Sequence, residues 1–442
     1  MINALKRRDL KAIIGESWSV CWPMTLILFF QFLIGLTDVF IAGKIGKEVQ
    51  AAYGFVFHLY FVFTVIATAI NVGTVSVASK LFTSGDKARF SNAIFTSIVA
   101  TFTAGLIICA VAIVFSPILM RALHIPAALK EHGIPLIRIY SLGLIFHYVL
   151  INSNGILRAS KMIKRSLFTM AVVCIINVPL DFFLVFRTDL GYKGIALATV
   201  ISVAIGSLLN AAHLKGLMRY KKIFSLEQAK KIIGIGWPIG LLQVAWQLGT
   251  AAIFIILGFL PEKSIETIAA MTNGLRVESI IFLPAFAFNM ANAVIVGNAI
   301  GSGETEEAYH RGLITATIGV AVVMVLTMIV ALKARWALSF LSGNGIVINE
   351  SVKYLYIVLI SEPFMAWGVI LGGGLSGAGD TRSVMKIVVS SFWFLRIPLS
   401  FIFGILLGRG AIAIWWAMNV SVFVQSIFIS RRYLSKGWFH HA

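Results

Sequence analysis

The segment INVPLDFF, residues 176–183, places an asparagine, a proline and an aspartate inside a long apolar run. The segment LRIPLSFIF, residues 395–403, repeats this pattern in the second half of the chain. The second copy has Arg396 in the place of the asparagine and Ser400 in the place of Asp181. Both runs have the composition of membrane-spanning helices. The chain therefore holds two related copies of one helical segment, and only the first copy carries an acid.

The composition of the whole chain is that of a membrane protein. Of its 442 residues, 59% are hydrophobic and only 12% are charged, and the mean hydropathy is +0.92. Ordinary soluble domains hold roughly 25% charged residues. About twelve apolar stretches of roughly 20 residues or more recur along the chain, each long enough to cross the hydrocarbon layer as a helix. We therefore predict an all-α polytopic membrane protein with about twelve transmembrane helices.

The basic residues, which give a net charge of +19, lie at the ends of the predicted spans. Segments on the side of the N-terminus hold 23 of the 37 Lys and Arg residues, and the opposite loops hold 12. Cytoplasmic loops of membrane proteins carry such an excess, so both termini are predicted to be cytoplasmic, in a multi-pass protein of the cell membrane. Membrane topology explains this charge, and no nucleic-acid partner is predicted.

An internal duplication organises the chain into two six-helix lobes. The predicted lobes are residues 1–214 and 232–442, and a cytoplasmic linker, 215–231, joins them. An even number of crossings returns the chain to its starting side, so we expect parallel copies related by a pseudo-two-fold axis along the membrane normal. The matching segments are WPMTLI (22–27) with WPIGLL (237–242), GILRASK (155–161) with GGLSGAGD (373–380), NVPLDF (177–182) with RIPLSF (396–401), and GYKGIA (191–196) with GRGAIA (408–413).

Two acids of the first lobe lie at one depth in the membrane. From the helical rise, Asp38 lies about 8 Å below the outer end of its helix, and Asp181 about 9 Å below that of the fifth helix. Asn177 shares a helix face with Asp181, and Thr199 lies roughly 12 Å below the outer end of the sixth helix. Buried carboxylates favour a functional interpretation, although each acid alone could simply accept structural hydrogen bonds. Such oxygen-rich groups suit Na⁺, and two neighbouring carboxylates also suit a shared proton.

Motifs in both lobes are similar to those of the multidrug and toxic compound extrusion (MATE) transporters, most closely to the DinF-like and archaeal branch. In that branch the first-lobe cation site uses an Asp, an Asn, an Asp and a Thr, which match Asp38, Asn177, Asp181 and Thr199. The resembling segments are GLTDVFIAGKIG (35–46), NSNGILRASK (152–161), NVPLDFFLVF (177–186), LGYKGIALAT (190–199), LRVESIIFLPAFAF (275–288), VGNAIGSGETEEA (296–308), LSGAGDTR (375–382), LRIPLSFIFG (395–404) and IAIWWAM (412–418).

The resemblance also implies roles for three further residues of the first lobe. Pro23 matches a proline at which the first helix bends, and it would act as a conformational switch. Gln31 and Asn154 match polar residues that line the substrate cavity. A proline inside a span is otherwise simply a tolerated kink.

The sequence departs from the family pattern at two positions. Where one branch has an essential acid in helix seven, this chain has Trp246 or Gln247, and a tyrosine that some members have just before the first-helix acid is Ile34 here.

The second lobe keeps two acids within its spans, Glu278 and Glu362. Glu278 would either contribute to the substrate cavity or pair with Arg396 as a structural contact.

The predicted function is antiport: Na⁺ or H⁺ enters while an amphipathic, often cationic or aromatic, small molecule is exported by alternating access. The alternative is a flippase for a lipid-linked saccharide, which would be expected to line its cleft with several arginines to hold phosphates. Only two arginines, Arg276 and Arg396, lie within spans. No nucleophile and base, cofactor motif or metal-ligand spacing points to an enzyme, so we predict a secondary transporter without cofactors. Its partners are its substrate and membrane lipids, and we expect a monomer with no bound metal other than Na⁺.

Overall fold

The computed structural model describes residues 7–122, 127–218, 220 and 223–441. Twelve helices in this part of the chain are long and apolar enough to cross a membrane, and no β-strand occurs among these residues. The predicted all-α polytopic fold is therefore confirmed. We number the helices by span as α1 Arg7–Ile45, α2 Lys47–Thr83, α3 Lys87–Ala122, α4 Ala127–Ala159, α5 Ile163–Phe186, α6 Lys193–Leu214, α7 Leu226–Gly258, α8 Ser264–Gly301, α9 Thr305–Ser339, α10 Gly345–Ala378, α11 Thr381–Leu406 and α12 Gly410–Leu434.

The chain divides into two compact units whose borders fall inside helices. The first unit is Leu26–Gly240, and the second unit consists of the described residues up to Thr25 together with those from Leu241 onward. The border between the units therefore crosses α1 two residues after Pro23, and it crosses α7 two residues after Pro238. The predicted lobes, 1–214 and 232–442, are drawn from the internal duplication, and their boundaries stay a prediction.

The start of α7 lies within the predicted linker. Helix α7 begins at Leu226, and the side-chain oxygen of Ser225 accepts a hydrogen bond of 3.3 Å from the backbone N–H of Gln228. A serine in this position satisfies one of the free N–H groups at the start of a helix. The following turns pack tightly on α2, because a Cβ atom on Gly73 would lie only 2.0 Å from the carbonyl oxygen of Ile232.

The two copies of the opening motif differ in backbone geometry. In the first copy, Pro179 lies within the continuous α-helix α5. In the second copy, α11 opens into π-helical turns at Ser391–Arg396 and Ile402–Leu406, on either side of Pro398. A proline inside a helix lacks the N–H of one hydrogen bond and crowds the preceding turn, and a π-helical turn is one way to relieve that crowding. The second copy therefore departs from the first in side chains and in backbone.

The glycine-rich segment of α10 serves close helix packing. Cβ atoms on Gly373 and Gly377 would lie 2.2 and 2.1 Å from carbonyl oxygens of α8, at Asn289 and Ala293. Gly379 ends the helix in a left-handed conformation, with φ of 94°, which glycine adopts without strain. These contacts explain the GGGLSGAG sequence as a packing surface of the second unit.

Candidate functional site

The four residues predicted to form a cation site come together inside the first unit. Asp38 belongs to the C-terminal third of α1, Asn177 and Asp181 to α5, and Thr199 to α6. Asp38 is 3% exposed, and Asn177 and Asp181 are fully buried. A carboxylate removed from water in this way needs hydrogen bonds, a partner charge or a proton. The protein contacts of each oxygen atom therefore indicate what the site can bind.

One carboxylate oxygen of Asp38 accepts hydrogen bonds from three hydroxyl groups. The Oδ2 atom accepts hydrogen bonds from Tyr53 at 3.1 Å, from Tyr140 at 3.4 Å and from Thr199 at 3.4 Å. Thr199 also donates to the backbone oxygen of Ile195 at 3.2 Å, as an alternative to its bond with Asp38. These donors come from α2, α4 and α6, so three helices fix the position of this carboxyl group.

The remaining carboxylate and amide oxygens of the site receive no hydrogen bond from the described residues. The carboxyl groups of Asp38 and Asp181 are close enough to interact electrostatically. Four buried acceptor atoms receive no hydrogen bond from any described residue: Oδ1 of Asp38, both carboxylate oxygens of Asp181, and Oδ1 of Asn177. Buried polar atoms are almost always satisfied in folded proteins. This donor-free set of oxygens is what a bound Na⁺ or a shared proton would satisfy.

The local sequence of α5 explains why Asn177 takes part. It lies one helical turn from Asp181, so both side chains project from the same face. The amide of Asn177 donates to the hydroxyl of Thr199 at 3.4 Å, which leaves its oxygen free beside the acids. The amide nitrogen of Asn177 therefore contacts α6, and its oxygen is an available acceptor in the site.

The other residues that the resemblance implies lie apart from the acid pair. Gln31 is exposed on α1, and Pro23 lies within that same helix. Asn154 is buried, and its amide groups are occupied: Oδ1 accepts hydrogen bonds of 2.9 Å from both Ser166 and Asn210, and Nδ2 contacts the sulfur of Met170 at 3.3 Å. In this conformation Asn154 belongs to a polar network that joins α4, α5 and α6.

The acids of the second unit form a separate cluster. Glu278 and Glu362 are each 2% exposed, and the two carboxyl groups interact electrostatically. Among the described residues Glu278 and Arg396 form no direct ion pair, although their charges interact. The hydroxyl of Tyr354 lies beside Glu278.

Sequence reasoning missed Tyr53 and Tyr140, the two tyrosines on Asp38. Each lies in an apolar span, where a buried tyrosine hydroxyl needs a polar partner, and that requirement was the available signal. Ile34, which stands where some family members have a tyrosine, instead packs against an apolar cluster drawn from α1, α4, α5 and α6. In this chain, the tyrosine hydroxyls on Asp38 thus come from Tyr53 of α2 and Tyr140 of α4, and not from α1.

Comparison with known proteins gives consistent matches over nearly the full chain. The sequence profile of the MatE family matches residues 23–183 and 238–402. The "Uncharacterized transporter YisQ" of Bacillus subtilis is 22% identical over 95% of this chain and 94% of its own length. The "Probable multidrug resistance protein NorM" of Bradyrhizobium diazoefficiens is 25% identical, over 93% and 91%.

Among solved structures, the fold matches a MOP superfamily transporter of Pyrococcus furiosus. The TM-score is 0.89, with 19% identity and coverage of 96% of both chains. The binding pocket of that transporter is described as reversed in polarity, which suggests a different function for it. At this level of identity the match supports the fold alone.

Proposed function

The chain belongs to the MatE family, and on that premise we propose that it is an exporter that couples the efflux of amphipathic, often cationic or aromatic, compounds to the entry of Na⁺ or H⁺. It is a membrane transporter, and its described residues include twelve helices long enough to span the bilayer. Relatives named as multidrug resistance proteins support the proposed class of cargo. The DinF-like branch stays a prediction.

The observation that carries the proposed coupling is the buried carboxyl pair of Asp38 and Asp181. Two neighbouring buried carboxylates repel each other unless a cation lies between them or one of them holds a proton. Together with Asn177 they offer four oxygens that receive no donor from the described residues. Na⁺ would contact Oδ1 of Asp38, the carboxylate of Asp181 and the amide oxygen, and H⁺ would be shared between the two acids.

Cation binding at this pair would bias the transporter between its two openings. A ligand shifts a conformational equilibrium only through a difference in its affinity for the two states. The hydroxyls on Asp38 come from α2, α4 and α6, and Asp181 comes from α5, so a change in helix packing alters the site from several sides. Each elementary charge that moves down a membrane potential of 100 mV supplies about 2.3 kcal/mol. Binding on one side and release on the other would make that energy available for export.

Three residues have proposed roles outside the acid pair. Gln31 is exposed and would contact cargo in the cavity of the first lobe. Asn154 would do so only after releasing the contacts it makes with Ser166 and Asn210. Pro23 lies two residues before the border between the units, which suits the proposed bend of α1.

The proposed function is tested with purified protein in liposomes. A fluorescent cationic dye is loaded, and either a Na⁺ gradient at constant pH or a pH gradient without Na⁺ is imposed. We expect one of the two gradients to accelerate dye efflux, and dissipating that gradient with an ionophore to remove the acceleration. Equal efflux with and without each gradient would refute coupling, while leaving the membership of the family unchanged.

A further inference from the structure

A buried charge cluster in the second unit lies on the counterparts of three of the helices around the acid site, although Asp38 itself comes from α1. In the duplication, α8, α10 and α11 correspond to α2, α4 and α5. The cluster consists of Glu278 on α8, Glu362 on α10 and Arg396 on α11, which are 2%, 2% and 6% exposed. Arg396 occupies the position that Asn177 has in the first copy. A basic side chain therefore stands where the first unit offers an amide oxygen.

The guanidinium of Arg396 is held in place by neutral groups. Its Nε atom donates to the hydroxyl of Ser421 at 2.7 Å. Its central carbon lies 4.3 Å from the ring centroid of Phe392 and 5.5 Å from that of Trp246, which are distances of cation–π contact. These contacts fix the position of the cation and leave its charge without a direct ion pair among the described residues.

The carboxyl groups of the cluster have unsatisfied oxygens, as the acid site does. Oε1 of Glu278 and Oε2 of Glu362 receive no donor from any described residue, and the adjacent hydroxyl of Tyr354 also has no partner there. The two acids interact with each other, and Glu278 interacts with Arg396. The cluster thus contains two carboxyl groups and one permanent cation in a water-poor interior.

The acid site of the first unit holds the same number of acids, and none of its described residues is basic. Asp38 and Asp181 are as deeply buried, and neither forms an ion pair with a described residue. Compared with the second-unit cluster, the acid site therefore lacks one positive charge that the protein itself supplies. In the proposed function this charge is provided by the coupling ion.

We propose that Arg396 is a tethered cation that takes, in the second unit, the place of an exchangeable ion and so confines cation exchange to the acid pair of the first unit. An arginine keeps its charge in proteins and cannot leave the site, so the charge that it supplies does not change with the Na⁺ or H⁺ concentration. Removing it should uncover a latent site for one cation between Glu278 and Glu362. This inference rests on the proposed cation site of Asp38 and Asp181.

The test measures cation-dependent stability in the absence of the first site. The parent protein carries Asp38→Asn and Asp181→Asn, and Arg396→Asn, the residue of the first copy, is added to it. The melting temperature in detergent is followed against Na⁺ concentration at fixed pH, with choline as the replacement ion, and against pH without Na⁺. A ligand that binds only the folded protein stabilises it in proportion to the logarithm of its concentration. The slopes therefore report the number of cations bound.

We expect Arg396→Asn to bind about one more cation per protein than its parent, seen as a steeper dependence on Na⁺ or on pH. Arg396→Lys, which keeps the charge, and Ser421→Ala, which removes only the hydrogen bond, should retain the slopes of the parent. A folded Arg396→Asn protein whose two slopes equal those of the parent would overturn the proposal. Because transport is not measured, this result is independent of a failure of coupling at the first site.

A second measurement applies even if Arg396→Asn unfolds. When two buried charges compensate each other, removing one leaves the other uncompensated, and removing both restores stability. We therefore expect Arg396→Asn with Glu278→Gln to recover expression and melting temperature relative to Arg396→Asn alone. If the double variant is no more stable than the single variant, Arg396 does not balance the acid, and the proposal is wrong.

Discussion

Replacing Tyr53 by phenylalanine should tighten the binding of the coupling cation by about tenfold. The phenol donates to Oδ2 of Asp38 at 3.1 Å and stabilises the carboxylate in the cation-free state. Hydrogen bonds to charged groups contribute about 1.5–3 kcal/mol, and this bond is longer than the 2.5–2.7 Å of a strong O–H···O⁻ contact. We therefore assign about 1.4 kcal/mol to this hydrogen bond, which corresponds to a factor of ten in the affinity of the site for the cation.

The assay is dye efflux from proteoliposomes as a function of the concentration of the coupling ion. For Tyr53→Phe the concentration for half-maximal efflux should fall by about tenfold, since this donor no longer stabilises the cation-free carboxylate. Tyr60→Phe is the matched control. Tyr60 is also a buried tyrosine of α2, but its hydroxyl pairs with Nδ1 of His147 at 2.8 Å. An unchanged half-maximal concentration for Tyr53→Phe, or an equal shift for Tyr60→Phe, would refute the reasoning.

Three further predictions concern the fold and its orientation. Gly73→Ala should destabilise the protein by about 1–3 kcal/mol in thermal unfolding, because its Cβ would collide with the backbone of Ile232, whereas Gly54→Ala, which has open space around it, should not. Arg311→Met should lower stability by no more than about 1 kcal/mol, and added salt should shrink the difference, because the bond of Arg311 to Glu16 at 2.8 Å is partly solvent-exposed. Tags at both termini should react with an impermeant label only after the cells are opened, since the basic loops lie on that side, and labelling of intact cells would contradict this topology.

The sequence predicted the spans and the members of the acid site because both depend on local patterns. Long apolar runs identify transmembrane helices by composition alone. A carboxylate inside such a run is costly, so Asp38 and Asp181 stood out, and the helical repeat placed Asn177 on the face of Asp181. In the structure, hydrogen bonds join Asp38, Thr199 and Asn177, and the role of these residues as a cation site stays a prediction.

The features that sequence reasoning missed depend on which helices face each other. Tyr53 and Tyr140 reach Asp38 from α2 and α4, and no periodicity within either helix shows which face packs on α1. The π-helical turns beside Pro398 were equally hidden, because Pro179 sits in the same motif without disturbing its helix. The borders of the compact units lie within α1 and α7, inside continuous helices. Each of these features arises from tertiary packing.

The most direct test of the central claim compares three substitutions in one efflux assay at matched protein levels. Asp38→Asn and Asp181→Asn should fold and insert, because each removes a buried charge, but efflux driven by the ion gradient should be lost. Ser400→Ala should retain gradient-driven efflux, since Ser400 is the uncharged twin of Asp181 and its buried hydroxyl bonds to no described residue. Wild-type coupling in both aspartate variants, or an equal loss in Ser400→Ala, would contradict the assignment and transfer the coupling role to Glu278 and Glu362.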